Sequence, residues 1–246
     1  MIHQIQSQFN FLLLHMKQFK NHSNYLFIAK RNSGKTHLIK YLIYTFLEQK
    51  VFQWGVVFSA TNFNTHQFDI VDKKYQYNTV DDIVLEQIMT IQEKSKVGCF
   101  IIFDDVLGTV NFNSPTIKKL FTTCRHYNIS IFLATQYLKS IPLLIRQNSD
   151  YVFLFDIKNL NTLRDFYDEW GSNFETFDEF KIYFKKSVNG YSCLLVDQKD
   201  NNKKDMDIYS TFTAPSSFPD FKLNWNKKDD EKKDRFNYNK KLLGKV

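Results

Sequence analysis

Five short apolar runs mark the first two thirds of the chain, at 25–28, 54–59, 100–103, 129–136 and 151–155. The run Phe100-Ile101-Ile102-Phe103 has no polar alternation, which predicts a strand buried on both faces, as in a parallel sheet. Between the runs, apolar residues recur at helical spacing. Leu38, Leu42, Ile43 and Leu47 follow the first run, and further helices are predicted at about 80–93 and 115–127. Downstream, 159–171 reads as a helix stopped by Gly171 and 174–186 as another. Segments 190–197 and 206–212 read as a terminal strand pair joined by a polar run. Strands alternating with helices predict an α/β chain with a central, mostly parallel sheet flanked by helices and a small C-terminal β-containing appendage.

The first run leads directly into chemistry. Residues 25–36 read Y-L-F-I-A-K-R-N-S-G-K-T, an apolar strand, a polar loop and the start of a helix. This is a phosphate-binding loop. Backbone N–H groups of Lys30, Arg31, Asn32 and Ser33 can wrap a triphosphate, and Gly34 allows the tight turn. Lys35 reaches the β- and γ-phosphates, and Thr36 offers its hydroxyl to Mg²⁺. The helix that follows points its N-terminal dipole at the phosphates. Ala29 stands where the usual pattern begins with glycine. The expected ligands are ATP and Mg²⁺.

A second half of the site follows. The buried run at 100–103 ends in Asp104-Asp105, and ligands of open α/β sheets bind at the carboxyl ends of strands. Asp104 is assigned to Mg²⁺, directly or through water, and Asp105 to the attacking water as general base. The run at 129–136 ends in Thr135-Gln136. A glutamine at the end of the strand beside the phosphate loop both donates and accepts without titrating, so Gln136 suits a γ-phosphate sensor. The extra strand at 54–59, between phosphate loop and acidic strand in the sequence, is typical of the additional-strand class of P-loop NTPases. That likeness argues against kinases and GTPases.

With R-H-Y-N-I-S at 125–130 and P-L-L-I-R-Q-N-S-D at 142–150 added to A-K-R-N-S-G-K-T, I-I-F-D-D and A-T-Q, the chain closely resembles the poxvirus-type DNA-packaging ATPases. These belong to the FtsK–HerA superfamily, found in large DNA viruses, virophages and related transposons. The matched elements span residues 25–155. The resemblance implies a homo-oligomeric ring that hydrolyses ATP and pulls double-stranded DNA into a preformed capsid, docked on a capsid or vertex protein. It implies a viral protein acting in the host cytoplasm or virus factory. It also implies a basic residue reaching the neighbouring subunit's γ-phosphate, with Arg125 and Arg146 the candidates and Arg146 preferred. The alternatives are another P-loop DNA motor, such as a helicase or conjugation-type pump, or a nucleotide-binding scaffold without catalysis.

Bulk properties limit what else the chain can be. With 43% hydrophobic and 17% aromatic residues it is globular rather than disordered. Only 7 Gly and 4 Pro leave no flexible linker. The expected organisation is an N-terminal helical segment at 1–24, the ATPase domain with its appendage at 25–221, and a basic flexible tail at 222–246. That tail carries nine Lys/Arg against four Asp/Glu of a chain whose net charge is +7, so it is a candidate nucleic-acid contact. Segment 62–78, with Lys73, Lys74, Tyr75 and Tyr77, and segment 107–114 are candidate DNA-facing loops. No run is long enough to span a membrane, and residues 9–16 lack the flanks of a signal peptide. The three cysteines, Cys99, Cys124 and Cys193, fit no zinc spacing and suggest a reducing compartment. Glu175, Asp178 and Glu179 look like a charged helix face, so DNA cleavage is not expected.

Overall fold

The computed structural model describes residues 19–95, 97–200 and 202–223. The N-terminal segment before residue 19 and the basic tail from 224 lie outside them. Eight strands form one sheet: β1 (Asn24–Ile28), β2 (Trp54–Ser59), β3 (Gln76–Tyr77), β4 (Cys99–Asp104), β5 (Ile129–Thr135), β6 (Tyr151–Leu154), β7 (Cys193–Asp197) and β8 (Tyr209–Phe212). Their order across the sheet is β3-β2-β4-β5-β1-β6-β7-β8. All neighbours from β3 to β6 pair in parallel, and β7 pairs antiparallel with both β6 and β8. The C-terminal strand pair therefore extends the main sheet beyond β6. The strand that separates β1 from β4 in space is β5. The sequence-inserted β2 lies on the far side of β4.

Among the described residues seven α-helices accompany the sheet: α1 (Lys35–Glu48), α2 (Asn62–Thr65), α3 (Asp82–Ser95), α4 (Pro115–Thr123), α5 (Leu143–Gln147), α6 (Leu160–Trp170) and α7 (Phe177–Ser187). Their ends follow local chemistry. Ser114 caps α4 by accepting from the Ile117 N–H, with Pro115 at the first helical position. Asn159 caps α6, which stops at Gly171. Thr176 caps α7, and Glu179 reaches back to the Glu175 N–H. Asp178 and Glu179 thus belong to a helix start.

Each pleat of the sheet has its own cover. On one face Tyr25 stacks on Phe132 at 4.7 Å and Phe27 on Phe153 at 4.8 Å, while Phe46 of α1 meets Tyr25. Each such pair adds about 0.5–1.5 kcal/mol beyond its buried area. Gly55 belongs to this face because a Cβ there would lie 2.3 Å from the Phe100 ring. On the other face Phe103 meets Phe121 of α4, and Trp54 donates to Gln92 of α3. Phe19 packs on Tyr151, Phe153 and Phe212, so the packed unit already includes residues before β1.

After β8 the chain turns back across α1. Phe218 packs on His37, Tyr41 and Tyr44, and the Leu223 N–H donates to the Ile70 carbonyl. This strap joins one edge of the sheet to the segment that follows β2. Within that segment buried Asn62 is the organiser. Its Oδ1 accepts the Phe68 N–H, its side-chain amide donates to Gln76 Oε1, and its backbone N–H donates to Ser59 Oγ. Tyr75 is buried against Trp54, and Tyr77 stacks on Phe58. Both aromatics serve the core, so the candidate DNA-facing surface of this segment reduces to Lys73 and Lys74. Lys74 is paired with Asp72 at 3.1 Å.

All three cysteines are free and buried. Burial pushes the Cys124 thiol up to about 12, and pushes Cys99 and Cys193 up as well. Among the described residues no helix is long and apolar enough to cross a membrane.

Candidate nucleotide site

The loop at 29–34 leaves β1 in the middle of the sheet. The Ala29 N–H donates to the Thr135 carbonyl at 3.0 Å, and the Phe155 N–H donates to the Ile28 carbonyl at 3.0 Å. The loop is thereby tied to both neighbouring strands before it turns. Ala29 is buried and has an ordinary negative φ, so its position does not require glycine. The left-handed conformations fall on Asn32 (φ 59°) and Gly34 (φ 91°). Asparagine tolerates this region and glycine enters it freely, so two left-handed residues here build a cup of backbone N–H groups. Ser33 Oγ donates to the Lys30 carbonyl at 2.9 Å, and Lys30 Nζ pairs with Asp156 at 3.1 Å. Arg31 is exposed on the loop.

Lys35 opens α1, and its ammonium pairs with buried Asp104 at the end of β4. Register explains the meeting. Asp104 lies opposite Ala134 of β5, and Thr135 lies opposite Ile28 of β1, so the ends of β1, β5 and β4 stand level. A buried carboxylate is expensive unless paired, and here its partner is the phosphate-loop lysine. Asp105 follows with φ 55°, half-buried, at a left-handed turn that carries the chain out of the sheet. Gln136 follows β5 between the loop and the acid pair. Its amide has no hydrogen-bond partner among the described residues, although Thr135 Oγ1 accepts from the Tyr137 N–H. The structure thus brings Lys35, Thr36, Asp104, Asp105 and Gln136 to one end of three adjacent strands.

One partner was not foreseeable from the sequence. Thr36 Oγ1 donates to Gln67 Oε1 at 3.1 Å. Gln67 sits in the segment after β2, where a polar run gives no periodic signal. The bond from the Phe68 N–H to Asn62 Oδ1, visible in three dimensions, helps to hold it there.

The two candidate arginines lie toward the other end of the strands. Asn24, at the start of β1, donates to the carbonyls of Phe121 and Asn148 at 2.7 Å each, which ties the ends of α4 and α5 together. Arg125 follows α4, is exposed, and has no ion-pair partner among the described residues. Arg146 is paired with Glu169 of α6 at 3.2 Å, with side chains 17% and 15% exposed. Within one chain, Arg125 thus has no ion-pair partner among the described residues, and Arg146 has Glu169.

The donor set fits a magnesium-bound nucleotide. Thr36 and Asp104 offer hard oxygens. Such oxygens suit Mg²⁺, which accepts few protein ligands and completes its shell with phosphate oxygens and water.

A phosphate loop on β1, an acidic pair on β4 and a strand between them define a P-loop NTPase fold of the additional-strand class. The family described as Poxvirus A32 protein matches residues 6–166, and the chain belongs to that family. A relative, uncharacterized protein 075L of Invertebrate iridescent virus 6, is 27% identical over 191 residues, covering 74% of this chain and 73% of that protein. The fold matches the DNA-packaging ATPase B204 of Sulfolobus Turreted Icosahedral Virus, with a TM-score of 0.58 and 18% identity over 80% of this chain and 100% of that one. It also matches the genome packaging NTPase B204 of Sulfolobus turreted icosahedral virus 2 in complex with AMPPCP, with a TM-score of 0.57 and 18% identity over 78% and 98% of the chains.

Proposed function

We propose that this viral protein hydrolyses ATP and uses the energy to move double-stranded DNA into a preformed capsid, working as a ring of identical copies docked on a capsid or vertex protein. The observation that carries the reading is the Lys35–Asp104 pair beneath the Gly34 turn, level with Thr36, Asp105 and Gln136. Family membership and the likeness to two packaging NTPases support the choice of DNA packaging among the motors that share this chemistry.

The roles follow from position. Backbone N–H groups of residues 30–34 hold the phosphates, and Lys35 exchanges Asp104 for phosphate oxygens when a nucleotide arrives. Thr36 and Asp104 would hold Mg²⁺, which supplies charge neutralisation at the β- and γ-phosphate oxygens. Asp105 accepts the proton of the attacking water as its oxygen bonds to the γ-phosphorus and the bond to ADP breaks. Gln136 orients that water. Arg125, free at the opposite end of the strands, is the better placed of the two arginines to reach a neighbour's γ-phosphate.

The test is ATP hydrolysis by wild type and Lys35→Ala, measured against protein concentration with and without double-stranded DNA. We expect cooperative onset, DNA stimulation, and a loss of about 10²-fold or more in the variant. Unchanged hydrolysis in Lys35→Ala would sink the assignment. DNA unwinding with no dependence on capsids would point to a different motor.

A further inference from the structure

We propose that Tyr191 is the wall on which the nucleobase of the bound nucleoside triphosphate stacks. The inference rests on the nucleotide reading above and adds a residue to it. Asp104, Asp105 and Gln136 lie on the β4 and β5 side of β1, so the γ-phosphate points that way and the base trails to the other side, over β6 and β7. The pairing of Leu194 with Leu154 puts the start of antiparallel β7 at the carboxyl end of β6, level with the phosphate loop. Tyr191 sits on the turn that leads into β7.

Its ring lies against the loop itself. A Cβ placed on Gly34 would be 3.1 Å from Tyr191 Cδ1 and 3.8 Å from its Cβ and Cγ. The rest of the ring is open. Tyr191 is 73% exposed, and it makes no ring contact or side-chain hydrogen bond among the described residues. Among the described residues, Tyr191 is one of three largely exposed aromatics, with Phe63 and Tyr137. The turn that carries it is fixed. The Ser192 N–H donates to the Asn189 carbonyl at 3.1 Å, Ser192 Oγ shares a 2.7 Å hydrogen bond with Thr213, and Gly190 takes φ 63°. The ring is therefore presented on a held backbone.

A π-face without converging hydrogen-bond groups recognises any base by stacking. The ligand class is a nucleoside triphosphate, with purines favoured over pyrimidines by stacking area and little discrimination between ATP and GTP. The experiment measures binding of ATP, GTP and inorganic tripolyphosphate to wild type, Tyr191→Ala, Tyr191→Phe and Lys35→Ala, with thermal melts to confirm folding. Tyr191→Ala should weaken ATP and GTP by roughly 5- to 150-fold, the range that base–aromatic stacking supplies. It should leave tripolyphosphate unchanged, and Tyr191→Phe should bind all three like wild type. Undiminished ATP binding by Tyr191→Ala overturns the proposal. So does an equal loss of tripolyphosphate, since Tyr191 would then shape the loop and not meet the base. Lys35→Ala binding both ligands normally would overturn the phosphate-loop assignment while leaving the stacking result to stand.

Discussion

Replacing Arg146 with alanine removes the partner of a carboxylate that is largely out of water. Arg146 and Glu169 meet at 3.2 Å with side chains 17% and 15% exposed. A fully buried pair broken on one side costs about 3–5 kcal/mol, and an exposed pair about 0–1 kcal/mol. This intermediate burial puts the loss at roughly 1–3 kcal/mol. Arg146 Nε is buried without a partner, so deleting the arginine also removes one desolvated donor and keeps the loss in the lower part of that range. For a domain of this size each kcal/mol lowers the melting point by about 2–4 °C. Arg125, exposed and unpaired, should melt within about 1 °C of wild type when replaced. Thermal and urea melts of Arg125→Ala, Arg146→Ala and the double variant Arg146→Met with Glu169→Leu test this, the double variant recovering most of the loss. ATPase per folded molecule, and complementation by mixing each variant with Lys35→Ala subunits, then separates stability from chemistry. An Arg146→Ala protein that melts like wild type and loses hydrolysis, beside an Arg125→Ala protein that hydrolyses normally, would refute the reasoning.

Gly34→Ala must hold φ near 91°, where an L-residue is strained, and its methyl would press on Tyr191. We expect nucleotide binding to fall by about tenfold or more, with no rescue from Tyr191→Ala, because the strain is in the backbone. Burial lowers the pKa of His22 below its ordinary 6.5. The unfolded chain then binds more protons, so this contribution to stability is complete above pH 6.5 and is lost as pH falls through the folded value. His22→Asn suits φ 54° and cannot titrate, so its melting point should fall less between about pH 7.5 and 5.5. Thiol-reactive dye at about pH 8 should label no cysteine of the folded domain and all three after denaturation, since Cys99, Cys124 and Cys193 are buried. Labelling of the native protein would contradict their burial.

What the sequence disclosed were the elements whose signal is local. The run Phe100 to Phe103 is dense enough to require burial on both faces, and its acid pair marks the carboxyl end of a strand. The phosphate loop is legible because each residue has one chemical task. The pairing of Asp104 with Lys35 follows from register, and both residues were in view beforehand. Gln67 was not, because its approach to Thr36 depends on Asn62 and Gln76 folding a polar segment that has no period. Tyr191 was hidden for a similar reason: its meeting with Gly34 spans over 150 residues and follows from β7 running antiparallel to β6. The pairing of Arg146 with Glu169 was hidden too, because Glu169 has no motif around it. The strap over α1 had no signal at all beyond Phe218 and Phe221, two apolar residues in a polar stretch.

The central place of β1 has a consequence for how the protein is made. Its hydrogen-bonding neighbours are β5 and β6, at Ile129–Thr135 and Tyr151–Leu154. When β1 leaves the ribosome, both of its edges are bare, and they stay bare until about a hundred further residues have been added. At about 5–20 residues per second that interval lasts roughly 5–20 s. Throughout it a strand bound for complete burial, with Tyr25, Leu26, Phe27 and Ile28 in a row, has only earlier or non-native company. The nascent chain should therefore engage chaperones early and release them after β6 emerges. Truncations ending before Tyr151 should aggregate, while those that include β6 begin to recover solubility.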